Sequence, residues 1–182
     1  MSQTATFDAT QLPGPTLDDF ADAATTLQGV AQETPVEVSR YLSQVLGQPV
    51  SLKCENLQRT GAYKIRGAYY CISKLSDEEK ARGVVAASAG NHAQGVAFAA
   101  REQGIKATIF TPVGVALPKL QATKAYGAEV ILGGESINEP LKAAQDFAAE
   151  TGAVRIPPFD HPDIIAGQGT VGLEIMDQVP DV

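Results

Sequence analysis

The stretch Val84-Val85-Ala86-Ala87-Ser88-Ala89-Gly90-Asn91-His92-Ala93-Gln94-Gly95 passes from a short β-rich run, through a polar turn, into a helical pattern. Its turn packs a hydroxyl, an amide and an imidazole among small residues. Working outward, Ala107-Thr108-Ile109-Phe110, Glu129-Val130-Ile131-Leu132 and Ala153-Val154-Arg155-Ile156 are three further β-rich runs, alternating with helical patterns over about 91–103, 117–126 and 135–151. Each helical pattern ends at or near a glycine, Gly104, Gly127 or Gly152, the residue that most readily adopts the left-handed conformation that stops a helix. Strand, helix, glycine, strand in repetition predicts βαβ units, hence an α/β fold with an open parallel sheet and flanking helices. Ligands gather at the carboxyl ends of strands in such sheets, so the loops after Ala87 and Phe110 are where chemistry is expected. Backbone N–H groups at a helix start form an anion site, and small residues let a ligand approach the main chain.

Upstream, Thr16 before Leu17-Asp18-Asp19 is a capping signature with acids where the helix dipole favours them, and predicts a helix over about 17–30. Pro13-Gly14-Pro15 blocks regular structure before it, leaving residues 1–14 as an expected frayed tail. After Thr34-Pro35 a helical pattern runs through Leu46 to Gly47-Gln48-Pro49, and the alternation of Val50-Ser51-Leu52-Lys53-Cys54 fits a half-buried strand.

The 182 residues carry 14 Lys+Arg against 21 Asp+Glu, a formal charge of −7 with no basic stretch, which argues against nucleic acid as a partner. No positive n-region precedes an apolar segment near the start. The richest apolar stretch, Val84 to Ala100, is interrupted by Asn91, His92 and Gln94 before it reaches the roughly 18 residues that cross a bilayer. A cytoplasmic protein with no membrane role is expected. Two cysteines, Cys54 and Cys71, supply neither a disulfide framework nor a four-thiolate zinc site, in keeping with a reducing compartment.

Gly167-Gln168-Gly169-Thr170-Val171-Gly172 fits the dinucleotide expression G-x-G-x-x-G, but His161-Pro162-Asp163-Ile164-Ile165-Ala166 before it is not a convincing strand, and no ribose-binding acid follows at the required spacing. The glycines are expected to let a helix pack tightly instead. His92 and His161 offer no local metal spacing, so metal catalysis is disfavoured. Cys54 and Cys71 lack a neighbouring histidine in sequence, and each is expected to be a small core residue.

In Lys53-Cys54-Glu55-Asn56-Leu57-Gln58-Arg59-Thr60-Gly61-Ala62-Tyr63-Lys64-Ile65-Arg66-Gly67-Ala68, Thr60-Gly61 looks like a loop ending in the cap of a helix that carries Lys64. A lysine in a first helical turn is usually solvated. Here Ala62, Tyr63, Ile65, Gly67 and Ala68 are apolar or small, so partial enclosure is expected, and Arg66 is two positions away; burial and a neighbouring cation favour the free amine, which can form a Schiff base.

The run Lys53-x-Glu55-Asn56-x-Gln58-x-Thr60-Gly61-Ala62-Tyr63-Lys64-x-Arg66-Gly67-Ala68, followed by Ser88-Ala89-Gly90-Asn91-His92-Ala93-Gln94-Gly95, closely resembles the pyridoxal-phosphate-dependent threonine dehydratases of the fold type II group. The resemblance continues through Lys119-x-x-Ala122-Thr123-x-x-Tyr126-Gly127-Ala128-Glu129-Val130 and from Pro157-Pro158-Phe159-Asp160 to Ala166-Gly167-Gln168-Gly169-Thr170, covering about 30–182. It implies pyridoxal 5'-phosphate as cofactor, Lys64 as its Schiff-base lysine, and Asn91 as the partner of its 3′-oxygen. It places Ser88, Gly90, Asn91 and His92 in the loop that grips the substrate carboxylate. The implied reaction deaminates L-threonine to 2-oxobutanoate and ammonia in isoleucine biosynthesis, in a homo-oligomer when full length. Serine dehydratase or serine racemase is the nearest alternative, and a non-catalytic module the alternative of another class. The resemblance also implies a glycine-rich phosphate loop and a pyridine-nitrogen partner beyond Val182, so the chain looks like the N-terminal part of such an enzyme with an incomplete large domain. Residues 1–84 then begin the large domain, 85–160 form the small α/β domain, and 161–182 return to the large one.

Overall fold

The computed structural model describes residues 14–181, so nearly all of the tail expected over 1–14 lies outside the described residues. Helix α1 (Leu17–Thr26) starts where Thr16 and Asp19 exchange bonds: the Thr16 N–H donates to the Asp19 carboxylate at 2.7 Å and Asp19 N–H to Thr16 Oγ1 at 3.3 Å. It stops four residues short of the expected end, as the chain loosens into turns around Gly29 at φ 76°. The helical pattern expected after Thr34-Pro35 and through Leu46 is corrected at its start. Val36–Val38 is a strand, β1, because two β-branched residues in alternation find an antiparallel partner in β2 (Ser51–Lys53) with Val36 opposite Lys53. Ser39 then caps α2 (Arg40–Leu46), which ends at Gly47 in the left-handed conformation.

After two 3-10 turns at 55–57 and 59–61 come α3 (Lys64–Ser73) and α4 (Asp77–Arg82), and then the predicted alternation. It runs β3 (Val84–Ala87), α5 (Asn91–Glu102), β4 (Ala107–Thr111), α6 (Leu117–Ala125), β5 (Glu129–Leu132), α7 (Asn138–Thr151), β6 (Val154–Arg155) and α8 (Pro162–Gln178). The four strands β5-β4-β3-β6 form one parallel sheet in that order. Alternation along β3 divides the core: Val84 and Ala86 pack with α3 and α5, while Val85 and Ala87 face α7 through Ala144 and Phe147. Helix α5 is buried from His92 to Ala100 because the sheet takes one side of it and α3 the other.

The crossing of α3 over α8 explains the glycine motif, which lies inside α8 with no strand before it. A Cβ on Gly167 would stand 2.6 Å from Gly67 Cα and 2.7 Å from Arg66 O, and one on Gly169 would run into the Phe20 ring. Next to this contact the Arg66 guanidinium donates to Glu55, Glu174, Thr170 and the Gln32 carbonyl, and Lys53 reaches Glu174 at 2.6 Å. Burial opposes the charge on Arg66, but its bonds to Glu55 and Glu174 prevail and raise its pKa. Burial likewise opposes ionisation of Glu174, yet Arg66 and Lys53 hold its pKa down. No helix among the described residues is long and apolar enough to cross a membrane.

Alanine in a helix interior ordinarily gains about 0.5–1 kcal/mol over glycine, and Gly172, with nothing within 4 Å of its Cβ position, is expected to follow that rule. Gly167→Ala is expected to lose about 1–3 kcal/mol through overpacking. Urea unfolding of both variants decides: equal effects at the two positions would remove the tight crossing at Gly167.

Candidate active site

Connections β3–α5–β4–α6–β5 run outward in one direction, whereas β6 lies on the opposite side of β3 and is reached over the other face by α7. Strand order therefore reverses between β3 and β6, the place where an open sheet leaves a crevice at its carboxyl edge. The loop of residues 88–90 follows β3 there, and the segment 156–160 follows β6.

Lys64 enters this region from outside the sheet. Thr60 at φ 65° and Gly61 at φ 71° turn the chain, and α3 starts at Lys64 with Tyr63 as N-cap and no side-chain cap bond. Thr60-Gly61 is thus a turn two residues before the cap rather than the cap itself, and buried Thr60 Oγ1 has no hydrogen-bond partner among the described residues. The half-buried Lys64 ammonium donates to the Pro158 carbonyl at 2.7 Å and lies 5.2 Å from the centre of the Tyr63 ring. Arg66 is no cation beside it, since that side chain is committed to Glu55 and Glu174.

Helix α5 presents its positive end to the same region. Its N-cap, Gly90, makes no side-chain cap bond, which leaves the first-turn N–H groups without a side-chain partner. Ser88 Oγ accepts the Gly90 N–H at 3.1 Å, and Asn91 is exposed at the first helical position. One turn on, a Cβ at Gly95 would stand 3.1 Å from both C and O of Lys64; only a glycine lets α5 rest on the main chain of Lys64, with Asn91 on the same helix face. The Lys119 ammonium comes within 3.5 Å of the Cβ position of Gly90, bringing a cation to the loop.

His92 turns inward. Its Nε2–H donates to the Ile156 carbonyl at 3.0 Å, so Nδ1 is left as a buried acceptor without a partner. Burial lowers its pKa to about 4, the nearby Lys64 charge adds to that, and the bond to Ile156 acts in the opposite sense. The imidazole is neutral at physiological pH.

The structure thus ties Lys64 and His92 to one segment after β6, and gathers Ser88, Gly90 and Asn91 at the start of α5. The Pro158 and Ile156 carbonyls and the approach of Lys119 to Gly90 were not legible as site features, although the Pro157-Pro158 pair and Lys119 both stand in recognisable runs. Cys71 is buried and its thiol is pushed up to about 12, by burial first and then by Asp163, so it is no nucleophile. A cavity of about 490 Å³ beside Val36, Lys53, Ile175 and Val179 includes none of the predicted site residues.

A family profile described as "Pyridoxal-phosphate dependent enzyme" matches residues 27–182. The chain is 53% identical over 167 residues to the L-threonine ammonia-lyase of Thermotoga maritima, a match covering 92% of this chain and 42% of that protein. It is 44% identical over 166 residues to the catabolic L-threonine dehydratase of Escherichia coli, covering 91% of this chain and 50% of the other. Among solved structures, maize serine racemase superposes with a TM-score of 0.89 at 38% identity, over 93% of this chain and 51% of that one. The chain therefore spans half or less of the length of these curated relatives.

Folded His92 stays neutral down to about pH 4, whereas its ordinary value is 6.5, so on acidification the unfolded chain takes up this proton first. Stability present above pH 6.5 is then lost progressively as pH falls from about 6.5 to about 4. His92→Gln is expected to flatten the fall by up to about 1.4 kcal/mol per pH unit. Urea midpoints across this window measure it, and parallel slopes in the two proteins would refute the buried neutral imidazole.

Proposed function

The chain belongs to the pyridoxal-phosphate dependent enzymes, and on that footing we propose that it serves the deamination of L-threonine to 2-oxobutanoate and ammonia. The observation that carries the reading is the Lys64 amine, held on a backbone carbonyl beside the uncapped start of α5 in the β3–β6 crevice. The relatives named for threonine supply the substrate.

The residues present fit the cofactor. An amine bonded to a neutral carbonyl can leave it without stranding a buried charge, and among the described residues the buried Nδ1 of His92 has no partner. Lys64 would hold the aldehyde carbon, and the Asn91 amide would donate to the 3′-oxygen. Pyridoxal 5'-phosphate, when bound, supplies a ring that spreads the negative charge left at Cα. Once the substrate amino group had displaced it from the aldehyde carbon, the freed Lys64 Nζ would take the Cα proton. The N–H groups opening α5, with Ser88, Gly90, Asn91 and His92, receive the substrate carboxylate, and the Lys119 ammonium draws it in. His92, neutral and bonded to Ile156, keeps the loop seated on the segment after β6.

The domain division we propose places the lysine in 1–84, the sheet in 85–160 as a small domain, and 161–182 in the large one. It is supported by the parallel sheet falling within 85–160 but for its first residue, Val84, and by α8 packing back on α1 and α3. The proposed setting is isoleucine synthesis in the cytoplasm, as a homo-oligomer. Degradation is the competing setting, given the relative named as catabolic. The likeness to maize serine racemase favours a second reading, dehydration or racemisation of serine.

Borohydride reduction after mixing with pyridoxal phosphate, followed by peptide mass mapping, is expected to place the pyridoxyl adduct on Lys64 and to lose it in Lys64→Ala. An adduct confined to Lys53, Lys74 or Lys119 would overturn the assignment. Turnover of L-threonine, L-serine and D-serine by the enzyme, read as keto acid and ammonia, separates the two readings. Asn91→Ala is expected to cost about tenfold or more in turnover, as befits a charge-assisted hydrogen bond of about 1.5–3 kcal/mol.

A further inference from the structure

Away from Lys64, the α3–α8 contact brings one donor on α3 against two at the start of α8 that lie far from it in sequence. The Cys71 thiol on α3, an imidazole nitrogen of His161 and a carboxylate oxygen of Asp163 all lie within 4.8 Å of one another. His161 is the N-cap of α8 and Asp163 its second residue. We propose that Cys71, His161 and Asp163 form a binding site for a thiophilic divalent cation of the zinc class, closing α3 against the start of α8.

Four properties of the cluster support this. A thiolate, an imidazole and a carboxylate together make a borderline-soft donor set suited to zinc, with solvent completing a tetrahedron. Cys71 is buried while the His161 and Asp163 side chains are 42% and 33% exposed, so an ion can enter past them. Among the described residues neither the thiol nor the Asp163 carboxylate makes a hydrogen bond, and Asp163 bears on Cys71 only to oppose its ionisation. A dication turns that repulsion to advantage, because thiolate and carboxylate together neutralise it, and both anions sit at the positive end of a 17-residue helix.

The adjustment required is small. Bonds of about 2.0–2.3 Å place tetrahedral ligand atoms about 3.3–3.8 Å apart, so closure from 4.8 Å asks for about an ångström, within reach of rotation of the two exposed side chains. The competing interaction is weak: His161 Nδ1 accepts the Asp163 N–H at 3.3 Å, the long end of the hydrogen-bond range. Binding is a proton exchange, in which the S–H bond breaks, an S–metal bond forms and one H⁺ goes to solvent.

Titration of the 182-residue chain with Co²⁺, then competition with Zn²⁺, tests the site. The expected result is one Co²⁺ per chain with a sulfur-to-cobalt charge-transfer band, about one proton released, and displacement by Zn²⁺. The band should vanish in Cys71→Ser and persist in Cys54→Ser. Affinity should fall by at least about tenfold in His161→Gln and in Asp163→Asn, with circular dichroism expected to show the fold intact because both side chains are partly exposed. No charge-transfer band, a band that survives Cys71→Ser, or unchanged affinity in both exposed-side variants would overturn the proposal.

Discussion

Burying the Arg66 guanidinium obliges separate segments to converge on one point. Its side chain is 1% exposed, and its donors go to Glu55 before α3, to the Gln32 carbonyl after α1, and to Thr170 and Glu174 on α8. Removing one partner from such a group leaves an uncompensated buried charge, typically worth about 3–5 kcal/mol, so the partners stand or fall together. Arg66 follows Lys64 by two residues on the same helix. The bonds that neutralise the guanidinium therefore also fix where α3 begins, and with it the point from which the Lys64 amine emerges.

The repeating half of the chain was legible because its signals are local. The runs at Val84 and Glu129 are strands over the expected residues, and α5 begins at Asn91 and ends one residue before its expected limit. Val36–Val38 was not, because three residues are too few for a period to show, and what makes them a strand is a partner at 51–53 that only the fold supplies. The nucleotide-like glycines were legible as packing residues, yet their partners, Gly67 and Phe20, were not.

At the site, residue type carried the information where side chains act and failed where backbone acts. Lys64 and the Ser88–His92 loop stand out by composition, while the carbonyls of Ile156 and Pro158 have no signature in any alphabet of side chains. Arg66 stands two positions from Lys64 yet does not neighbour it, because residues two apart on a helix do not face each other. Cys71 and His161 were weighed by what stood beside them in sequence, and the crossing of α3 over α8 gives them neighbours that sequence distance conceals.

The pairing of β6 with β3 extends over only two residue pairs, Val84 with Val154 and Val85 with Arg155. Everything that the segment after β6 does for Lys64 and His92 hangs from that seam. A seam so short can open on its own, since few backbone bonds break and the buried β3–β4 pairing stays whole. Within the parallel sheet, amide exchange should accordingly be faster at β6 than in the middle strands β3 and β4. The lysine's tether is fastened to the part of the sheet that is easiest to peel away.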